Sequence, residues 1–223
     1  MTIPIEDTEN IFRSVQAETM CPFAKSAVIT FARSIEVDSS IPEAAQQLYE
    51  DIAEYVQEGI VAAPDGLAVA LPSSVIGDDF ESLTSGFNSL YHALKLNDGF
   101  SEEAIAAEDI EDAGWQLTMG GQRMFTIVFS SLYPADSPRH IPEDGTTFVF
   151  FQPVESFGSR IPYDKDSAEF RRLKANIRSR FAQAGLEYDG AINDDPREAA
   201  KYLSPRHLGA PAVQWWNSDR PVV

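Results

Sequence analysis

The stretch from Met124 to Phe157, MFTIVFSSLYPADSPRHIPEDGTTFVFFQPVESF, constrains the fold more than any other. In its first part Phe125, Ile127, Phe129 and Tyr133 share one face, and Met124, Val128 and Leu132 share the other. Thr146 to Gln152, TTFVFFQ, is again apolar on both faces. Two such runs predict strands buried on both sides. Between them lies Ser137-Pro138-Arg139-His140. A cation and an imidazole on a loop held by two rigid strands suit binding or catalysis, and a solvated hairpin loop is the plain alternative.

The rest of the chain supplies mostly helices. Residues 6 to 19 read as a short helix with Ile11, Phe12 and Val15 inward, ending before Cys21-Pro22 because proline excludes a helical predecessor. Ser26 to Ile35 reads as a strand. A helix follows Ser40, with Pro42 in its first turn. Pro64-Asp65-Gly66 reads as a turn, and Leu67 to Leu71 as a strand. Asp78 or Asp79 caps a helix striped by Phe80, Leu83, Phe87, Leu90 and Leu94. Residues 101 to 112 suit a short exposed helix. Trp115 to Met119 reads as a strand turned by Gly120-Gly121 straight into the Met124 run, a hairpin signal. Gly158 to Asp166 reads as a loop. Ser167 to Ala184 reads as a helix with Phe170, Leu173, Ile177 and Phe181 inward, its arginines outward and Gly185 at its end. Residues 190 to 223 are expected to be an extended tail packed over the body. With strands in the middle and helices on either side, the class is α+β: one domain with a largely antiparallel central sheet flanked by helices.

Composition narrows the partners. The 223 residues are 43% hydrophobic, enough for a sizeable core, and carry a formal net charge of −18. That charge repels phosphate backbones and anionic membranes, so neither nucleic acid nor a membrane is an expected partner. No apolar run approaches the ~20 residues of a membrane span. The start, MTIPIEDTENIF, lacks the features of a signal peptide, and a cytoplasmic protein is expected.

Few residues are equipped for chemistry. Known nucleotide, zinc-protease and serine-hydrolase motifs are missing. His92 falls opposite the apolar stripe of its helix and is expected to face solvent, and His207 suits the surface. Cys21 is the single cysteine, which rules out an intramolecular disulfide. It reads either as a small buried apolar residue or as a thiolate, nucleophile or metal ligand. A metal-free hydrolase or transferase built on Cys21 and His140 is one alternative.

Several short elements occur in a definite order: Met20-Cys-Pro-Phe-Ala-Lys-Ser-Ala, Phe87-Asn-Ser-Leu-Tyr-His-Ala-Leu, the Leu-Tyr-Pro hairpin end, Ser-Pro-Arg-His, Phe148-Val-Phe-Phe-Gln-Pro, and Ile177-Arg-Ser-Arg-Phe followed by Tyr188-Asp189. In that order they resemble the YqcI/YcgG family, which includes haem-dependent enzymes such as the guanitoxin-pathway N-hydroxylase. The resemblance runs over residues 18 to 190. Asn88 stands where members often carry tryptophan, and the tail from Asn193 differs from the family ending. The resemblance implies a haem b enzyme that uses dioxygen and an external electron donor to N-oxygenate or hydroxylate a small nitrogenous substrate: an amino acid, or a guanidino or amine metabolite. It makes Cys21 the axial iron ligand, with His140 as the rival ligand or a propionate or distal contact. A thiolate ligand favours O–O cleavage. Arg139 would pair with a propionate. Phe23, Phe129, Phe148 and Phe150 are candidates for the pocket wall, with a place in the core the better reading for each. A haem carrier or sensor without turnover is the other alternative.

Overall fold

The computed structural model describes residues 5–62, 65–159, 167–186 and 188–218. In chain order the helices are α1 (Ile5–Glu18), α2 (Pro22–Lys25), α3 (Ile41–Ala62), α4 (Ser73–Ile76), α5 (Phe80–Asn97), α6 (Glu102–Ala106), α7 (Ala168–Gln183) and α8 (Gly190–Asp194). The strands are β1 (Ile29–Phe31), β2 (Gly66–Pro72), β3 (Leu117–Met119), β4 (Gln122–Ser130) and β5 (Thr146–Pro153). They form a five-stranded sheet in the order β1-β2-β5-β4-β3. Only β1 and β2 run parallel, joined by the long crossover through α3, so the sheet is mostly antiparallel, as expected.

Local chemistry accounts for these elements. Gly120 and Gly121 have φ of 56° and 76°, the paired positive values of a two-residue hairpin turn, and Met119 pairs with Gln122 across it. Asp79 caps α5 reciprocally: its carboxylate accepts from Ser82 N at 2.8 Å, and the Ser82 hydroxyl accepts from Asp79 N at 3.1 Å. Pro22 opens α2 at the position where a missing N–H costs nothing.

The sheet has two unequal sides. On one, Leu67, Val69, Leu71, Met124, Val128, Val149 and Phe151 pack under α3 and α5 in the main core. On the other, Ile29, Ala68, Phe148 and Phe150 gather around Phe12 of α1. The β5 residues from Thr146 to Phe151 are buried on both faces, as their pattern predicts. The residues of β4 alternate instead: Met124, Thr126, Val128 and Ser130 are buried, while Phe125, Ile127 and Phe129 are half-buried. The expectation of two buried β4 faces is corrected, because nothing covers the second face of this strand fully.

Two further expectations are corrected. Ser26 to Ile35 is a strand only from Ile29 to Phe31. The C-terminal segment packs over the body, as expected, but it is broken by α8 and by the tight helical turns Glu198–Lys201 and Trp215–Asn217 instead of being extended throughout. Trp215 is fully buried, its ring centroid 4.9 Å from that of Phe87 and 5.3 Å from that of Tyr91, with Nε1 donating to Ala199 O at 2.9 Å. The Tyr202 carbonyl accepts from Val128 N at 3.0 Å, so this segment also closes the outer edge of β4. The expected turn at Pro64 and most of the expected 158–166 loop lie outside the described residues. Among the described residues no helix is long and apolar enough to cross a membrane.

Candidate functional site

Cys21 sits on a braced turn. Its backbone is extended, φ −77° and ψ 114°, as a residue before proline requires. Its N–H donates to Thr19 Oγ1 at 3.3 Å, and its carbonyl accepts from Lys25 N at 3.0 Å. Gln16 ties the turn to α1, its Nε2 donating to the carbonyls of Ala24 at 2.9 Å and Ala27 at 2.7 Å. The thiol is half-buried, and its sulfur has no hydrogen-bonding partner among the described residues. Phe23, on the same turn, is half-buried.

The loop between β4 and β5 folds back on its own strand. Ser130 N donates to Arg139 O at 3.0 Å, and Arg139 N to Ser137 Oγ at 3.2 Å. The Arg139 guanidinium spans to the C-terminal segment: Nη1 donates to Tyr202 O at 2.8 Å and Nη2 to Lys201 O at 2.5 Å. No carboxylate faces it among the described residues. Burial lowers its pKa, and the phenols of Tyr133 and Tyr188 lie within electrostatic reach. His140 Nδ1 lies 2.8 Å from the Tyr133 carbonyl. With that nitrogen donating, Nε2 carries the lone pair, an arrangement typical of imidazoles that bind metals.

Because both its amino nitrogens hold main-chain carbonyls, Arg139 clamps the C-terminal segment to β4. Bonds from a charged donor are worth about 1.5–3 kcal/mol. Arg139→Ala is expected to lose about that much stability in urea unfolding and to expose residues 201–204 to proteolysis. Arg139→Lys should recover only part, since an ammonium has no fork. Unchanged midpoints in both variants would remove the clamp from consideration.

Tyr188 joins the two segments. It follows α7, its ring stacks obliquely on Phe181 with centroids 5.0 Å apart, and Asp189 beside it caps α8 through Ala191 N and Ile192 N. Burial raises the Tyr188 phenol, opposed by Arg178 and Arg139 and aided by Cys21 and Asp194. Cys21, Arg139 and Arg178 thus all lie within electrostatic reach of Tyr188, although more than a hundred positions separate the first from the others. Arg178 bonds Asp194 at 2.6 Å through Nη2, while its Nε is buried without a partner. Beside Cys21 a cleft of about 270 Å³ is lined by Thr19, Met20, Pro22, Lys25, Ser26 and Arg180.

The remaining candidates fall elsewhere. Phe148 and Phe150 are buried and Phe129 half-buried, all around Phe12, whose ring centroid lies 5.1, 5.9 and 5.6 Å from theirs. The far edge of the Phe150 ring also closes on Gly66, where a Cβ would sit 2.2 Å from it. His92 is corrected: it is only 13% exposed, with Nε2 2.6 Å from Glu102 Oε2, because α6 folds back over that face of α5. His207 is exposed, as expected. A larger cleft of about 600 Å³ lies between α1, α4 and the start of β5, with Asp7, Glu143 and Asp144 in its wall and none of the expected site residues.

Tyr188, Lys25 and Arg180 were not among the residues singled out for chemistry. Arg180 was read as an outward surface charge, and only the Tyr188-Asp189 pair, one of the ordered short elements, marked the region. The chain has no significant match among curated proteins or among solved structures. A family model does match it, over residues 12–204, a span that takes in the Cys21 turn, the Arg139 loop and Tyr188, and by that match the protein belongs to the YqcI/YcgG family.

Proposed function

We propose that the protein is a haem-dependent oxygenase that N-oxygenates or hydroxylates a small amino acid or a guanidino- or amine-bearing metabolite, using dioxygen and an external electron donor. The observation that carries this reading is that the Cys21 turn, whose half-buried thiol has no hydrogen-bonding partner among the described residues, and the Arg139 loop, from distant parts of the chain, both lie within electrostatic reach of the Tyr188 phenol. The donor chemistry fits an iron porphyrin. A half-buried thiol with a free sulfur and an imidazole with its Nε2 turned away from its backbone bond are both competent axial ligands. The larger, acidic cleft suits the cofactor poorly, since its carboxylates would oppose the propionates. A propionate role for Arg139 would require it to release the Lys201 and Tyr202 carbonyls.

When bound, haem supplies the activation of dioxygen. The chain supplies the rest. The Gln16 bonds and Pro22 fix the direction of the Cys21 sulfur. The Tyr133 carbonyl fixes the His140 ring. The Tyr188 hydroxyl, which has no hydrogen-bonding partner among the described residues, can donate to a polar atom entering the same space. Phe181 and the turn to α8 keep one side of that phenol from water. A metal-free cysteine hydrolase is less well supported. It needs a base on the sulfur, and the described hydrogen bonds put none there.

Protein purified from an iron-replete culture should be coloured, show a Soret band and release equimolar haem on extraction. A colourless protein that also fails to take up added haemin would end the proposal.

A further inference from the structure

The chain carries 35 acidic and 17 basic side chains. With acids in such excess, a cation on the surface ordinarily finds one. Among the described residues Arg13, Arg33, Arg123, Lys174, Arg178, Arg197 and Lys201 do, whereas Arg172 and Arg206 do not. The cleft beside Cys21 is lined by two more cations without an acid. Its charged lining is Lys25 and Arg180, with no carboxylate in its wall. Neither cation meets an acid among the described residues.

The segments that carry the two cations are also braced. Lys25 closes the braced turn that Gln16 bonds to α1, and the Ser26 hydroxyl tightens the same turn by donating to Pro22 O at 3.1 Å. Arg180 comes from the last turns of α7. Its neighbour Arg178 is neutralised by Asp194, a carboxylate that also holds Lys174. One acid thus serves two arms of α7, and Arg180 is left to the cleft. On a surface that repels anions, this pair is a local attractor for one.

We propose that Lys25 and Arg180 form a carboxylate-binding subsite beside Cys21. At about 270 Å³ the cleft is smaller than the ~300–1,000 Å³ of sites that enclose a drug-sized ligand. It suits an acidic arm whose parent molecule extends toward Cys21 and Tyr188. Two sources present that chemistry: a propionate of the porphyrin, or the carboxylate of an amino-acid substrate. The choice between them rests on the oxygenase reading; the subsite itself does not.

The test compares wild type with the Lys25→Ala/Arg180→Ala double variant. Both side chains are exposed, so the variant should keep its circular dichroism and unfolding midpoint. Each protein is titrated with haemin, with haemin dimethyl ester and with succinate. A propionate source predicts that wild type prefers haemin to the ester and that the variant loses about tenfold in haemin affinity alone. A substrate source predicts equal haemin binding and about tenfold weaker succinate binding in the variant. If wild type takes up no haemin yet binds succinate through these two residues, the oxygenase reading fails and the subsite stands. If the two proteins bind all three probes alike, or bind none, the subsite is overturned.

Discussion

Glu108→Ala is expected to destabilise the fold by about 3–5 kcal/mol, because it strands a buried ammonium. Lys95 on α5 is 3% exposed, and its Nζ lies 2.8 Å from Glu108 Oε1. The same carboxylate accepts from Tyr91 OH at 2.6 Å and Trp115 Nε1 at 2.8 Å. The ammonium also lies 3.4 Å from the centroid of the Phe100 ring, which cannot replace a counterion in a dry site. Lys95→Met/Glu108→Leu should recover much of the loss by removing both charges, though Tyr91 and Trp115 would still lack an acceptor. The network also sets a pH dependence. Burial pushes the Glu108 carboxyl up, but the bonds from Lys95, Tyr91 and Trp115 outweigh it and hold the group below its ordinary value. A depressed folded pKa gives stability that is complete above the unfolded value of about 4.3 and is lost as pH falls through the lower folded value. Urea unfolding between about pH 6 and pH 3 should therefore show wild type losing more than Glu108→Gln. A Glu108→Ala midpoint within about 0.5 kcal/mol of wild type would mean that water already reaches Lys95.

What could be read from the sequence follows from the range of the forces involved. The continuous apolar run of β5, the Gly120-Gly121 turn and the Asp79 cap act over a few residues, so local pattern and turn chemistry reveal them. The C-terminal segment was legible only as a tail packed over the body, because its order comes from distant partners. Nothing near Trp215 says that Phe87 and Tyr91 will receive it, and nothing near Tyr202 says that it closes an edge at Val128. The site divides along the same line. Cys21 and His140 stood out by residue type and short motif. Arg180 reaches the Cys21 turn, and Tyr188 comes within electrostatic reach of Cys21, only through tertiary packing that local sequence does not record. Arg139 was legible as a cation on a rigid loop, but the carbonyls of Lys201 and Tyr202 that hold it lie some sixty positions away.

In haem-loaded protein, Cys21→Ser is expected to abolish the red-shifted carbon monoxide band of a thiolate-bound ferrous haem, and His140→Ala is expected to leave it. Cys21 is the only thiol in the chain, so no other residue can supply that signature. The braced turn makes the expectation specific. Pro22, the Thr19 hydroxyl and the two Gln16 bonds restrict the backbone on either side of the sulfur, and no hydrogen bond competes for its lone pairs among the described residues. Gln16→Ala should then broaden the band and weaken haem retention without removing the ligand, because it frees the turn and not the thiol. His140 is the structural rival. Its ring is oriented by the Tyr133 carbonyl, and Tyr133 is itself pinned by its hydroxyl to Ser204 O at 3.1 Å. Were the imidazole the ligand, His140→Ala would abolish ligation, while Cys21→Ala would keep the native spectrum and the carbon monoxide band would lie in the ordinary imidazole position. Cys21 would then be a small, half-buried residue at the head of α2.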